Sequence, residues 1–178
     1  NIALVYQGRK EYLKALEYFQ KAFSVSDSQL ANAGHYTNIG GVYEAQGKYQ
    51  EAYEYYRKGL EIYVSLYGDY HPMVAISFNN IGKTYQKQGK YEKAREYLEK
   101  SFKIRRHIYG KMHPETAVSY ALRGTVYQLQ KKYDMALKYY GKALKIRQTV
   151  FGESHFSVGV LYNNIGQIYQ AWEKYPES

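Results

Sequence analysis

The chain has no cysteine among its 178 residues, three prolines and a single tryptophan. Without a thiol it can form no disulfide, no thiolate zinc site and no cysteine nucleophile, a composition that fits a reducing compartment. So few prolines leave long stretches free to be helical. No apolar run approaches the ~18 residues of a membrane span, and no signal-peptide pattern opens the sequence. These absences predict a soluble, intracellular, cytoplasmic protein. The G-x-S-x-G, P-loop, G-x-G-x-x-G and H-E-x-x-H patterns are missing as well, so the sequence predicts neither an enzyme nor a cofactor. Acidic residues are scarce beside basic ones. Sixteen Asp and Glu against 25 Lys and Arg give a formal charge of +9, which favours an acidic partner.

Tyrosine is abundant, with 24 copies, and a hydrophobic fraction of 45% is enough for a core. The tyrosines are not scattered. Tyr6/Tyr12, Tyr43/Tyr49, Tyr85/Tyr91, Tyr127/Tyr133 and Tyr169/Tyr175 share a six-residue step, and successive pairs lie 37, 42, 42 and 42 residues apart. Before the first tyrosine of each pair stand "NIALVY", "NIGGVY", "NIGKTY", "LRGTVY" and "NIGQIY"; three residues after the second come Ala15, Ala52, Ala94, Ala136 and Ser178. A pattern held in register over five copies is the mark of a repeat array.

Each copy reads as two helices. In the third, Phe78, Ile81, Gly82 and Tyr85 fall at i, i+3, i+4 and i+7; "KQGK" interrupts, and Tyr91, Ala94, Leu98, Phe102 and Ile108 resume a helical stripe. Gly89 sits where a left-handed residue closes a helix, and the short link makes the two helices antiparallel. The fourth copy has Lys131 there, a change that costs about 1 kcal/mol if the backbone stays left-handed. Gly40, Gly82, Gly124, Gly166 and the alanine series are small enough for two helices to approach closely.

The order aromatic, apolar, Gly, Tyr and Ala resembles the tetratricopeptide repeat: Tyr36-Ile39-Gly40-Tyr43-Ala52-Tyr56, Phe78-Ile81-Gly82-Tyr85-Ala94-Leu98 and Tyr120-Arg123-Gly124-Tyr127-Ala136-Tyr140. The period of 42 exceeds the usual ~34 of that family, and the "YG..HP" connector followed by "NNIG" resembles the kinesin-light-chain type of repeat. The first connector, "VSDSQLANA", lacks the Gly-His-Pro pattern, and no heptad coiled coil accompanies the repeats. The resemblance implies an all-α fold, a right-handed α-solenoid of antiparallel helical hairpins. It implies one array over residues 1–178: a partial repeat at 1–28, repeats at about 29–70, 71–112 and 113–154, and a partial repeat at 155–178. Both ends cut through a unit, as in a fragment of a longer array.

The resemblance also implies a binding surface, the concave groove lined by the first helix of each repeat. Residues that turn away from the packing stripe there are Ile76, Asn79, Asn80, Lys83, Gln86 and Lys87 in the third copy, and Val160, Asn163, Asn164, Gln167 and Gln170 in the fifth. With Asn38 and Gln128 these amides and lysines form the candidate peptide-binding set. An amide donates to and accepts from a peptide backbone at once, so such a ladder suits an extended segment of any sequence. Light-chain-type repeats bind short peptides with an aromatic residue flanked by acids, and Lys83, Lys87 and Arg123 are the residues to meet the acids. Arg123 replaces an apolar motif residue; it is either buried with a partner or turned to the groove. Of the positions that clamp a chaperone's C-terminal carboxylate in related arrays only Asn80 matches, so no such clamp is expected.

Three other readings are weighed. His71, His113 and His155 recur one per connector, but repeats stack ~10 Å apart whereas zinc ligands lie ~2 Å from the metal, so a structural turn role is expected and no metal. Tyr53, Tyr55, Tyr56, Tyr63, Tyr67, Tyr139 and Tyr140 on second helices, in a basic chain, suggest single-stranded nucleic-acid stacking, but their helical spacing argues for packing. Homotypic assembly through exposed apolar end faces is the third. The expected function is a non-enzymatic scaffold or adaptor that binds a short, acidic segment of a protein partner.

Overall fold

The computed structural model describes residues 2–25 and 27–174. Tyr175 and Ser178, the last members of the tyrosine and small-residue series, lie outside the described residues. Among those described there are nine helices and no strand: α1 (Ile2–Gly8), α2 (Tyr12–Ser24), α3 (Gln29–Ala45), α4 (Tyr49–Tyr67), α5 (Pro72–Lys87), α6 (Tyr91–Tyr109), α7 (Pro114–Leu129), α8 (Tyr133–Phe151) and α9 (Phe156–Lys174). They form two compact units, Asn1–Ala94 and Arg95–Ser178, divided inside α6.

The repeat pattern becomes hairpins because each glycine–lysine turn closes one helix and opens the next. Lys48, Lys90 and Lys132 donate their backbone N–H to the carbonyls of Tyr43, Tyr85 and Tyr127 at 2.9 Å, the long-reach bond that seals a helix C-terminus around a left-handed residue. That residue is Gly47 or Gly89 (φ 75° and 72°), and in the fourth copy Lys131, which keeps the conformation at φ 58°; the first copy likewise has a lysine there, Lys10 at φ 61°, with Glu11 N–H bound to the Tyr6 carbonyl at 2.9 Å. The strain expected at Lys131 is therefore present.

Within the first unit α1 packs on α2, α2 on α3, α3 on α4 and α4 on α5; within the second, α7 packs on α8 and α8 on α9. Ala3, Ala15, Phe19, Ile39 and Val42 form one core cluster, and Ala117, Tyr127, Ala136, Tyr140, Ala143, Ile146, Leu161 and Ile168 another. Gly40 and Gly124 permit the closest approach: a Cβ on either would lie 2.8 Å or 2.7 Å from the ring of Tyr56 or Tyr140, sixteen positions on. Gly166 differs, with nothing among the described residues within 4 Å of its would-be Cβ.

The connector histidines are helix caps. His71, His113 and His155 each accept, through Nδ1, the backbone N–H two residues on (Met73 at 3.2 Å, Glu115 at 3.1 Å, Ser157 at 3.2 Å). Each ring also stacks on the aromatic residue four positions earlier, Tyr67, Tyr109 or Phe151, with centroids 4.0, 4.6 and 4.5 Å apart. Pro72 and Pro114 follow at the first helical position, where the missing N–H is no loss. The first connector has neither histidine nor proline, and there Ser28 caps α3, its hydroxyl accepting the Ala31 N–H at 3.4 Å; α2 has 13 residues where α4, α6 and α8 have 19.

Candidate functional site

In the first unit the first-helix face is carried by α3 and α5. Asn38 and Asn80 are half-buried and Lys83 is exposed, with no hydrogen bond or ion pair among the described residues. Asn79 departs from expectation. It is 5% exposed, because Ala75, Asn79 and Gly82 fall at i, i+4 and i+7 and share the packing stripe; the sequence reading set it one column too far toward solvent. Ile76, assigned to the same outward set, is exposed as expected.

Lys87 reaches Glu44 on α3, Nζ to Oε1 at 2.6 Å. Glu44 was not singled out by the sequence reading, yet it gathers three donors: Lys87, the Thr84 hydroxyl at 2.9 Å and the Tyr56 hydroxyl at 3.4 Å. Its carboxylate is only 14% exposed. Burial, with the Glu44 charge and hydrogen bond adding to it, holds the Tyr56 hydroxyl far above the ordinary tyrosine value. The available signal was positional: Glu44 is the lone carboxylate in a 42-residue series otherwise held by Gln86, Gln128 and Gln170.

That series has a packing duty. In the second unit the Tyr140 hydroxyl donates to Gln128 Oε1 at 2.8 Å, as Tyr56 donates to Glu44. Gln128 is thus tied to its own hairpin rather than free for a ligand. Gln86 is half-buried, and its Oε1 is buried with no hydrogen-bond partner among the described residues. On α9, Asn163, Gln167 and Gln170 are exposed and Asn164 is half-buried.

Arg123 is packed within the second unit and not turned to solvent. Its guanidinium pairs with Glu99 at 2.8 Å, lies 5.2 Å from the Phe102 ring centroid and 4.6 Å from that of Tyr139, and its side chain is 18% exposed. Other cations are spent inside too. Arg105, on α6, is buried against Glu115 (3.4 Å) and Ser119, and Arg147 donates to the Ser157 carbonyl at 3.0 Å; burial pulls both guanidinium groups below their ordinary value. Arg123 and Arg105 are thus each matched by a glutamate, whereas on α5 the positive charge without a partner among the described residues is Lys83.

The second-helix tyrosines are largely committed to their neighbours. Tyr56, Tyr63 and Tyr140 are buried, Tyr55 stacks on Tyr43, Tyr139 stacks on Tyr127, and Tyr67 stacks on His71. No group of His, Asp and Glu that could hold a metal ion occurs among the described residues, and no described helix is long and apolar enough to cross a membrane.

Comparison with known proteins agrees with this architecture. The tetratricopeptide repeat family model matches residues 31–107, 77–148 and 115–178. Among solved structures, BtubC (BKLC) from P. vanneervenii superposes with a TM-score of 0.81 at 22% identity, covering 95% of this chain and 69% of that one. The kinesin light chain nearly identical TPR-like repeats of Podosopora anserina give 0.77 at 21% identity over 97% of this chain and 84% of theirs. The apo form of RapI gives 0.77 at 20% identity over 97% of this chain and 47% of its own. At such identities the likeness shows the fold alone. No curated protein matches in sequence. Three overlapping family matches, antiparallel hairpins and tyrosine–glycine packing together place the chain in the tetratricopeptide repeat family, whose repeats serve as protein-interaction modules.

Proposed function

We propose that the chain is a non-enzymatic adaptor that holds a short, acidic segment of a partner protein on the first-helix faces of its hairpins. The observation that carries this reading is Lys83, an exposed ammonium with no partner among the described residues, standing one turn from the amide of Asn80 on α5. Asn80 and Asn38 supply two-way hydrogen bonding to a peptide backbone, and Lys83 supplies the charge that selects acids. Lys87 contributes less than its exposure suggests, since an acidic ligand must compete with Glu44 for it. On α9 the exposed Asn163, Gln167 and Gln170 extend the same chemistry in the second unit.

The test is a titration of acidic, aromatic-containing peptides selected from a display library, read by fluorescence anisotropy at physiological salt. Lys83→Glu should weaken binding about three- to tenfold, the scale of one exposed charge pair with its repulsive reversal. Unchanged affinity in that variant would sink the reading. Tight binding of a single-stranded oligonucleotide, falling steeply with salt, would transfer the function to nucleic acid.

A further inference from the structure

The two units contain the same aromatic niche, filled in one and open in the other. In the second unit Phe102 and Tyr120 have ring centroids 5.0 Å apart, Tyr120 and Tyr139 lie at 6.2 Å, and Tyr139 stacks on Tyr127 at 5.3 Å. In the first unit the matching rings are Phe23, Tyr36, Tyr55 and Tyr43, with the corresponding distances 5.2, 6.1 and 5.3 Å. The walls are the same to within 0.2 Å. A lysine stands over the same pair of rings in each: Lys142 is 5.5 Å from both Tyr120 and Tyr139, and Lys58 is 5.7 Å from Tyr36 and 5.1 Å from Tyr55.

The filling differs. In the second unit the Arg123 guanidinium occupies the niche between Phe102 and Tyr139, held by Glu99. In the first unit the repeat positions of Arg123 and Glu99 carry Ile39 and Gln20. Ile39 is buried, and a cavity of about 340 Å³ is present here, lined by Gln20, Phe23, Tyr36, Ile39, Tyr55 and Lys58. A second cavity of about 470 Å³ adjoins it, sharing Phe23, Tyr36 and Lys58; it reaches Asn32, whose Oδ1 is buried without a hydrogen-bond partner among the described residues, and is bordered by Glu61, whose carboxylate is held by Arg57 at 2.6 Å.

We infer that this niche is a ligand site for a planar aromatic group carrying a carboxylate. The shape follows from the second unit, where a planar group is what the same walls accept. The sign of the charge follows from Lys58. Its ammonium has no carboxylate partner among the described residues, because Arg57 takes both neighbouring acids, Glu61 at 2.6 Å and Glu54 at 3.4 Å. A guanidinium entering here would meet Lys58 without the glutamate that offsets it in the second unit; a neutral ring meets no such opposition, and an attached carboxylate gains Lys58. A volume of about 340 Å³ lies at the lower end of the range of small-molecule sites, enough for one ring system and its acid. The carboxylate can belong to a free aromatic acid or to a peptide in which an aromatic residue stands beside an acid. The site is built from the second helices α2 and α4 over α3, so it does not rest on the first-helix face proposed above.

The experiment titrates the intact chain, followed by amide and methyl NMR shifts, with four probes: N-acetyl-tryptophan, N-acetyl-tryptophanamide, acetyl-Glu-Trp-Glu-amide and N-acetyl-arginine amide. Shifts should centre on Gln20, Tyr36, Ile39 and Lys58, with the carboxylate form favoured over the amide about threefold, as one exposed ion pair allows. Tighter binding of the tripeptide identifies a peptide as the source, and tighter binding of the free acid identifies a small molecule; either supports the site. The double variant Gln20→Glu with Ile39→Arg copies the pair that fills the second unit and should abolish binding while leaving the circular dichroism unchanged. Lys58→Gln is the independent variant, and should erase the preference for carboxylate over amide. Preference for the arginine probe, shifts centred on Asn80 and Lys83 instead, or affinity unaffected by both variants would overturn the inference.

Discussion

The Tyr140 ring lies against Gly124 so closely that a Cβ on the glycine would stand 2.7 Å from Tyr140 Cδ1. The Tyr140 hydroxyl is bound at the far end, to Gln128 at 2.8 Å and to Thr125 at 3.0 Å, so the ring cannot swing away cheaply. Gly124→Ala gains about 1 kcal/mol of helix propensity and loses more to overpacking, typically 1–3 kcal/mol. The expected result is net destabilisation of Gly124→Ala, and of Gly40→Ala against Tyr56. Gly141→Ala, in the middle of α8 where nothing lies within 4 Å, should stabilise by about 0.5–1 kcal/mol. Urea unfolding of the three variants checks the opposite signs.

Lys131, like Lys10 at φ 61°, carries a side chain where the second and third hairpins use Gly47 and Gly89. At φ 58° it is held in the left-handed region by the bonds of its turn, Lys131 N–H to the Gln128 carbonyl and Lys132 N–H to that of Tyr127, both 2.9 Å. Replacing it by glycine removes the Cβ clash, worth about 1 kcal/mol, at the cost of some unfolded-state entropy. Lys131→Gly should therefore raise the midpoint of thermal unfolding. A lower midpoint would show that the interactions of Lys131 outweigh its backbone strain.

His113 joins the connector to α7 in two ways, as acceptor for the Glu115 N–H and as a ring stacked on Tyr109. An Nδ1 that accepts carries no proton, so the neutral ring with its proton on Nε2 is the form that caps. His113→Ala should cost about 1 kcal/mol from the cap, with a smaller loss from stacking. His113→Asp should recover the cap but not the stacking, and so fall between the two in thermal unfolding. Equal stability of His113→Ala and the parent would remove the capping role.

The hairpins were legible because one tyrosine–glycine–alanine pattern sets both the helical period and the close packing, and it recurs in register. Side-chain destinations were legible only where they depend on the residue's own helix. Asn79 shares a stripe with Ala75 and Gly82, and a shift of one column on the helical wheel was enough to misplace it. Lys87 meets Glu44, 43 positions away, and Arg123 meets Glu99 on another helix; such partners are chosen by how neighbouring hairpins abut. The histidine caps were legible as turn residues, but the acceptor role of Nδ1 depends on connector geometry that spacing does not encode. The open niche was hidden for a related reason: Ile39 looks like an ordinary core residue until Arg123 shows what the same position can hold.

The tyrosines that close the hairpins also fix a response to alkali. Burial raises the Tyr140 hydroxyl above the ordinary value of 10.0, and burial together with Glu44 raises that of Tyr56 further. A group whose folded-state value is raised contributes stability that is complete below the unfolded-state value and is lost as pH climbs above it, because the unfolded chain releases its proton first. Stability should thus be flat up to about pH 9 and fall from about pH 10 upward, with no matching fall on the acid side from these groups. Tyr140→Phe leaves Gln128 and Thr125 without their partner and should lower stability by about 1 kcal/mol at pH 8. The same variant should also flatten the decline between pH 9 and 11, since one proton-linked group is gone. Urea midpoints measured at pH 8, 9, 10 and 11 separate the two effects. A parallel displacement at every pH would show that Tyr140 is not linked to the alkaline transition, and convergence of the two curves at high pH would show that it is.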